Sequence, residues 1–115
     1  MIFLANAFSL QMVQADQYRL AVKTVPVEEV AKRLQNEKWV SCVGHSDIAA
    51  VAGDMLGMEV QYNRGNISLR EGDIVFVAQV IGGRLPEGST KLPNGYTIVW
   101  KQVEIIDESK PKTSF

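Results

Sequence analysis

A chain of 115 residues, 46% hydrophobic and 22% charged, is long enough for one buried core and too short for two. That apolar content excludes a disordered polyelectrolyte, and a net charge of −1 excludes coating of long nucleic acid by bulk electrostatics, so any polyanion must meet a local basic site. No apolar run nears the roughly 20 residues of a membrane helix, and Met1 to Phe8 lacks the basic region and cleavage site of a signal peptide, so the protein is expected in the cytosol with no membrane partner.

Met1 to Phe8 and Tyr18 to Val25 both read as strands, the second with apolar residues at alternate places, separated by a short polar turn or helix. Pro26 then opens an amphipathic helix: acids stand in its first turn, and Val27, Val30 and Leu34 share one face. Lys38 to Val43 is expected as a buried strand. Its Cys42 is the chain's one cysteine, so no internal disulfide can form, and a small buried hydrophobe is the ordinary reading.

Gly44-His45-Ser46-Asp47 leads into a second helix over Ile48 to Leu56, with Gly57 as its stop. Beyond it, Met58 to Tyr62 and Ile67 to Leu69 are expected to form a hairpin around Asn63-Arg64-Gly65-Asn66. Glu71-Gly72-Asp73 turns into a long strand from Ile74 to Ile81. Gly82 to Asn94 is rich in glycine and proline and reads as a mobile surface loop. Tyr96 to Ile106 is the last strand, which sets a domain over 1–106 and a polar, fraying tail over 107–115. The fold class is α/β, one domain with a mixed sheet flanked by helices.

The only histidine, His45, follows a strand and a glycine at a helix start. Backbone N–H groups at Gly44 and beyond, together with the helix dipole, favour an anion there, beside an imidazole able to exchange a proton near neutral pH. A plain helix cap is the ordinary alternative. One histidine and one cysteine cannot build a nitrogen/sulfur metal site, and no tight acidic cluster suggests a magnesium cage, so no metal or cofactor is expected. Asp47 and Asp54 read as solvated carboxylates. In the glycine-rich loop Arg84 can grip a phosphate and Glu87 can orient a hydroxyl or the histidine, against the alternative of an exposed ion pair. Asn6, Ser9 and Gln11 follow the first strand, where capping of the next turn competes with ligand contact.

Leu4-Ala5-Asn6-Ala7-Phe8-Ser9-Leu10-Gln11-Met12, Gly44-His45-Ser46, Gln61-Tyr62-Asn63-Arg64 and Arg84-Leu85-Pro86-Glu87-Gly88 occur in the order seen in the viral type III anti-CRISPR ring nucleases, which this chain resembles over residues 2–105. The resemblance implies a homodimer that cleaves a cyclic oligoadenylate second messenger, foremost cyclic tetra-adenylate, and so silences type III CRISPR signalling. It implies His45 as general acid, Arg84 on the scissile phosphate and Glu87 as a positioning carboxylate. Asn6, Ser9, Gln11, Gly44, Arg64 and Gln79 would contact the ligand. Two departures stand out. The segment from Gln79 to Arg84 is one residue longer than in the family, which bears on where Arg84 falls. The family's Gly-His-Asp-Ser-Thr stands here as Gly44-His45-Ser46-Asp47-Ile48, which bears on phosphate contacts at the helix start. A non-catalytic protein that sequesters the same nucleotide, and an interaction module with a structural His45, remain the competing readings.

Overall fold

The computed structural model describes residues 1–108, with side chains to Ile106. Its elements are β1 (Ile2–Ala5), a 3-10 turn (Leu10–Met12), β2 (Tyr18–Val25), α1 (Val27–Asn36), β3 (Trp39–Cys42), α2 (Ser46–Leu56), β4 (Ile74–Ile81) and β5 (Thr97–Glu108). The strands form one sheet in the order β2-β5-β4-β1-β3. β1 runs parallel to both β3 and β4, whereas β5 is antiparallel to β4 and β2, so the sheet is mixed as expected.

Period-two alternation sorts the core onto two faces. On one, Leu4, Phe76, Ala78 and Trp100 are buried beneath Val30 and Leu34 of α1 and Val51 and Leu56 of α2. On the other, Ala5, Val75, Val77 and Ile105 meet Val13 and Leu69, which come from loops. The helices expected to flank the sheet are present, and both lie on one face and touch each other. The step from β2 to β3 crosses the sheet through α1 on the helix face, whereas the step from β3 to β4 passes from α2 to the opposite face before it reaches β4.

The hairpin expected over Met58 to Leu69 does not form, because its two arms are drawn to opposite faces. Val60 is buried with the helices, while Leu69 is buried in the loop-covered core. Each arm makes one parallel bridge elsewhere, Tyr62 with Val43 and Leu69 with Val13. The segment wraps the outer edge of β3, where the Asn63 amide donates to the Val43 carbonyl at 2.9 Å and the Asn63 side chain donates to the Ser41 carbonyl at 2.7 Å.

β5 runs to Glu108 and pairs with the start of β2, so the strand outlasts its expected end at Ile106. The rest of the expected tail, 109–115, lies outside the described residues. Among the described residues no helix is long and apolar enough to cross a membrane.

Candidate functional site

Because β1, β3 and β4 run in one direction, the residues after them emerge at a common end of the sheet. Asn6 follows β1, Gly44 and His45 follow β3, and Arg84 follows β4. The chain leaves β1 over the loop-covered face and leaves the adjacent β3 over the helix face, and such a divergence opens a crevice at the carboxyl ends of the strands.

Gly44 is the hub of that crevice. Its N–H donates to Asn6 Oδ1 at 3.0 Å, and a Cβ placed on it would lie 3.7 Å from Arg64 Cγ. Arg64 is thereby held beside the start of α2, although its side chain is exposed. His45 is the N-cap of α2, in extended backbone, and its Nδ1 accepts the Ile48 N–H at 3.4 Å. An accepting Nδ1 leaves the ring proton on Nε2.

His45 and Arg84 line the same recess of about 200 Å³, together with Ile48, Val80, Gly83 and Leu85. The added residue before Arg84 has not carried it away from the histidine. A recess of this size is smaller than the roughly 300–1,000 Å³ of a whole small-molecule site. It has room for a small group beside the imidazole and the guanidinium rather than for a whole ligand. Its apolar walls lower the local dielectric and strengthen any charge–phosphate contact made there.

The loop carrying Arg84 is more firmly anchored than its glycine content predicts. Leu85 is 5% exposed, the Tyr96 hydroxyl donates to the Arg84 carbonyl at 3.0 Å, and the Gly88 N–H donates to Asp47 Oδ1 at 3.3 Å. Gly82, at φ +120°, lets the chain pass the Gly95 carbonyl oxygen, which a Cβ would meet at 2.9 Å. Asp47 is thus a tether between α2 and the loop, whereas sequence reasoning left it as a solvated carboxylate. A carboxylate two residues past a cap and a tyrosine at a strand start are common, so neither signalled this role.

The remaining candidates divide. Asn6 and Gln79 line a groove of about 490 Å³ on the loop-covered face of the sheet. Ser9 and Gln11 line a separate polar hollow with Asn66 and Ser68. Ser9 also serves the structural role weighed for it: its Oγ accepts the Gln11 N–H at 3.3 Å and caps the 3-10 turn. Glu87 is exposed and lines neither the recess nor these hollows. Cys42 is half-buried rather than buried, and burial pushes its thiol pKa up. Among the described residues no group of three or more histidine, cysteine or acidic side chains is placed to hold a metal ion.

Over 88 residues the chain is 30% identical to uncharacterized protein 26 of the Sulfolobus islandicus filamentous virus (isolate Iceland/Hveragerdi), covering 76% of this chain and 74% of that protein. The structure of B116 of Sulfolobus turreted icosahedral virus superposes with a TM-score of 0.74 over 90% of this chain and 97% of the other, at 23% identity, a likeness of fold. The STIV B116-like family model matches residues 2–94, and the chain belongs to that family of viral proteins.

Proposed function

We propose that this viral protein is a metal-independent ring nuclease that cuts cyclic oligoadenylate, foremost cyclic tetra-adenylate, and so switches off type III CRISPR signalling. The observation that carries this reading is the convergence of His45 and Arg84 in one small, apolar-walled recess beside the Asn6-bound Gly44. The resemblance of the sequence motifs supplies the substrate.

In the proposed reaction the ribose 2′ hydroxyl attacks the phosphorus in line and gives up its proton to solvent, while the bond from phosphorus to O5′ breaks. Arg84 holds the phosphate oxygens through charge-assisted hydrogen bonds. His45 donates the Nε2 proton to the departing O5′, leaving a 5′ hydroxyl and a 2′,3′-cyclic phosphate. To act as an acid the ring must first carry a proton on Nδ1 as well, which gives up the cap bond to Ile48. At 3.4 Å that bond is long, and leaving the Ile48 N–H without its acceptor costs about 1–3 kcal/mol, which the contact with a bound phosphate offsets. Positioning and electrostatics do the rest, so one acid and one cation suffice. Glu87 would act only after the loop or the ligand brings it closer.

A two-fold dimer fits the proposal. A ring of four phosphates shares a two-fold axis with such a dimer, and each opposite phosphate then meets one His45 and one Arg84. Two cuts yield two linear di-adenylates.

Incubation with cyclic oligoadenylates in chelator tests the reading. His45→Ala should lose about 10²–10⁴-fold in cleavage rate while binding stays within about tenfold, because a general acid acts in the transition state. Cleavage by His45→Ala at the wild-type rate, or a requirement for a divalent ion, would overturn the mechanism. Tight binding without turnover by the wild-type protein would instead establish a sequestering protein.

A further inference from the structure

The chain returns from the Arg84 loop to β5 through Pro93-Asn94-Gly95-Tyr96, a turn closed by the Tyr96 N–H, which donates to the Pro93 carbonyl at 3.2 Å. Gly95 stands at its third position with φ +87°, a left-handed conformation that a turn takes most readily with glycine. Asn94 and Gly95 are both exposed. Among the described residues neither the Asn94 side chain nor the Gly95 N–H has a hydrogen-bond partner. The other asparagines differ. Asn6, Asn36 and Asn63 commit their side chains to hydrogen bonds with Gly44, Lys32 and Ser41, and Asn66 is followed by the β-branched Ile67. Asn94 alone precedes a glycine.

We propose that Asn94 is a self-modification site, at which the Gly95 amide nitrogen displaces the side-chain amide, and that the product unseats Arg84. The modification stands apart from the ring-nuclease reading, and only its effect on cleavage rests on that reading. Hydroxide removes the Gly95 N–H proton, and the nitrogen attacks Asn94 Cγ, closing a five-membered ring. A C–N bond forms, and Nδ2 leaves as ammonia after taking a proton from water, so hydroxide is regenerated and a succinimide remains. Glycine is the successor that favours this step, since no side chain shields its nitrogen. Water then opens the ring. Attack at Cγ leaves aspartate, whereas attack at the backbone carbonyl leaves isoaspartate, whose main chain runs through Cβ and Cγ and is one methylene longer. Overall one water is consumed and one ammonia released.

That extra methylene falls where the turn has no slack. A Cβ on Gly82 would meet the Gly95 carbonyl oxygen at 2.9 Å and Tyr96 Cα at 3.2 Å, so the two passes of chain touch just ahead of Arg84. The Tyr96 hydroxyl then holds the Arg84 carbonyl at 3.0 Å. A longer main chain before Tyr96 breaks the closing bond of the turn and moves ring and hydroxyl against the Arg84 loop. The guanidinium leaves its place beside His45. The fraction of protein with a seated Arg84 therefore falls with age, and falls faster as pH rises, because hydroxide drives the first step.

The experiment ages wild type and Asn94→Gln side by side at neutral and alkaline pH. Glutamine keeps the amide but must close a six-membered ring, a much slower step. Released ammonia, peptide mass spectrometry and enzymatic methylation of isoaspartate read the modification, trypsin cutting after Arg84 reads the loop, and cleavage of cyclic tetra-adenylate reads the site. In wild type, ammonia loss and isoaspartate should appear at Asn94 before any other asparagine, at a rate proportional to hydroxide, and should be absent from Asn94→Gln. Trypsin should cut after Arg84 faster in aged wild type, and cleavage should fall in proportion to the isoaspartate fraction, while aged Asn94→Gln keeps its fresh rate. Fresh Asn94→Asp, which adds the charge without the methylene, should behave like fresh wild type. An Asn94 that stays intact in the folded protein, or changes no faster than Asn66, overturns the proposal, as does isoaspartate there with unaltered trypsin cutting or cleavage. If fresh wild type cleaves no cyclic oligoadenylate, the ring-nuclease reading fails by itself, and the mass and trypsin readouts still decide the modification.

Discussion

Gly53→Ala should destabilise the protein even though the rules for isolated helices say the opposite. Glycine inside a helix costs about 1 kcal/mol relative to alanine, and Gly53 lies within α2. Propensity alone therefore favours the substitution. The surroundings reverse the sign, because a Cβ on Gly53 would sit 2.8 Å from the Met58 carbonyl oxygen and 3.4 Å from the Val60 amide nitrogen. Both are backbone atoms and cannot swing aside like a side chain. The Gly53 carbonyl also accepts the N–H groups of Gly57 and Met58, so helix end and following chain are tied to the same residue. Overpacking of this kind costs about 1–3 kcal/mol, and subtracting the helix gain of about 1 kcal/mol leaves a net loss of about 1 kcal/mol at the middle of that range. In a domain of this size that lowers the melting temperature by about 5 °C. Differential scanning calorimetry or circular dichroism melts measure it, with the exposed Ala50→Gly as the control that should lose about 1 kcal/mol by propensity alone. A Gly53→Ala protein that melts at or above wild type would refute the steric argument.

Arg84→Ala should lower kcat/KM by about 10²–10³-fold, the cost of losing one preorganised contact to a charged transition state, and weaken binding as well. Arg84→Lys should restore only part of it, and normal kinetics in Arg84→Ala would put that arginine outside the chemistry. Asp47→Ala removes the acceptor of the Gly88 N–H; it should reduce cleavage severalfold while costing under about 1.5 kcal/mol of stability, and Asp47→Asn, which keeps an acceptor, should recover most of the rate. Equal rates in both variants would show that the tether does not position the loop. Iodoacetamide at neutral pH should label Cys42 in the folded protein more slowly than a free thiol, because burial raises its pKa and keeps thiolate scarce; labelling at the free-thiol rate would contradict that. Sedimentation should find a dimer at micromolar concentration, and product analysis should show linear tetra-adenylate only transiently before the second cut; an efficient monomer, or preference for a three-membered ring, would overturn the symmetric arrangement.

The strands and helices were legible where local chemistry and tertiary packing agree. Pro26 with Glu28 and Glu29 opens α1, and Val30 and Leu34 are buried as their spacing requires. Gly57 closes α2 at φ +70°, the left-handed conformation for which glycine is the natural choice. The hairpin reading failed because alternation and a turn-like Asn63 to Asn66 describe only the chain's own preferences. They carry no information that Val60 is wanted under the helices and Leu69 on the opposite face. The placement of both helices on one side was likewise hidden, since helix and strand patterns do not say which face of the sheet a helix covers.

The site was legible as a set of residue types and hidden as a geometry. His45 after a glycine at a helix start marks the end of a parallel strand, and that end is where a crevice forms. Arg84 joins it by a route no local pattern encodes: Leu85 is drawn into the core and Tyr96 holds the Arg84 carbonyl, so a loop rich in glycine is seated by its few apolar and aromatic residues. The same logic explains how Lys101 comes to line the groove over β4. In sequence it is one lysine in a strand whose neighbours alternate, and nothing marks it. Only when β5 lies between β4 and β2, with the helices on the far face, does its side chain share a groove with Asn6 and Gln79. Asn6 then reaches both ways, to Gly44 at the recess and to the groove. The recess at His45 and the groove over β4 thus meet at Asn6 as parts of one continuous surface.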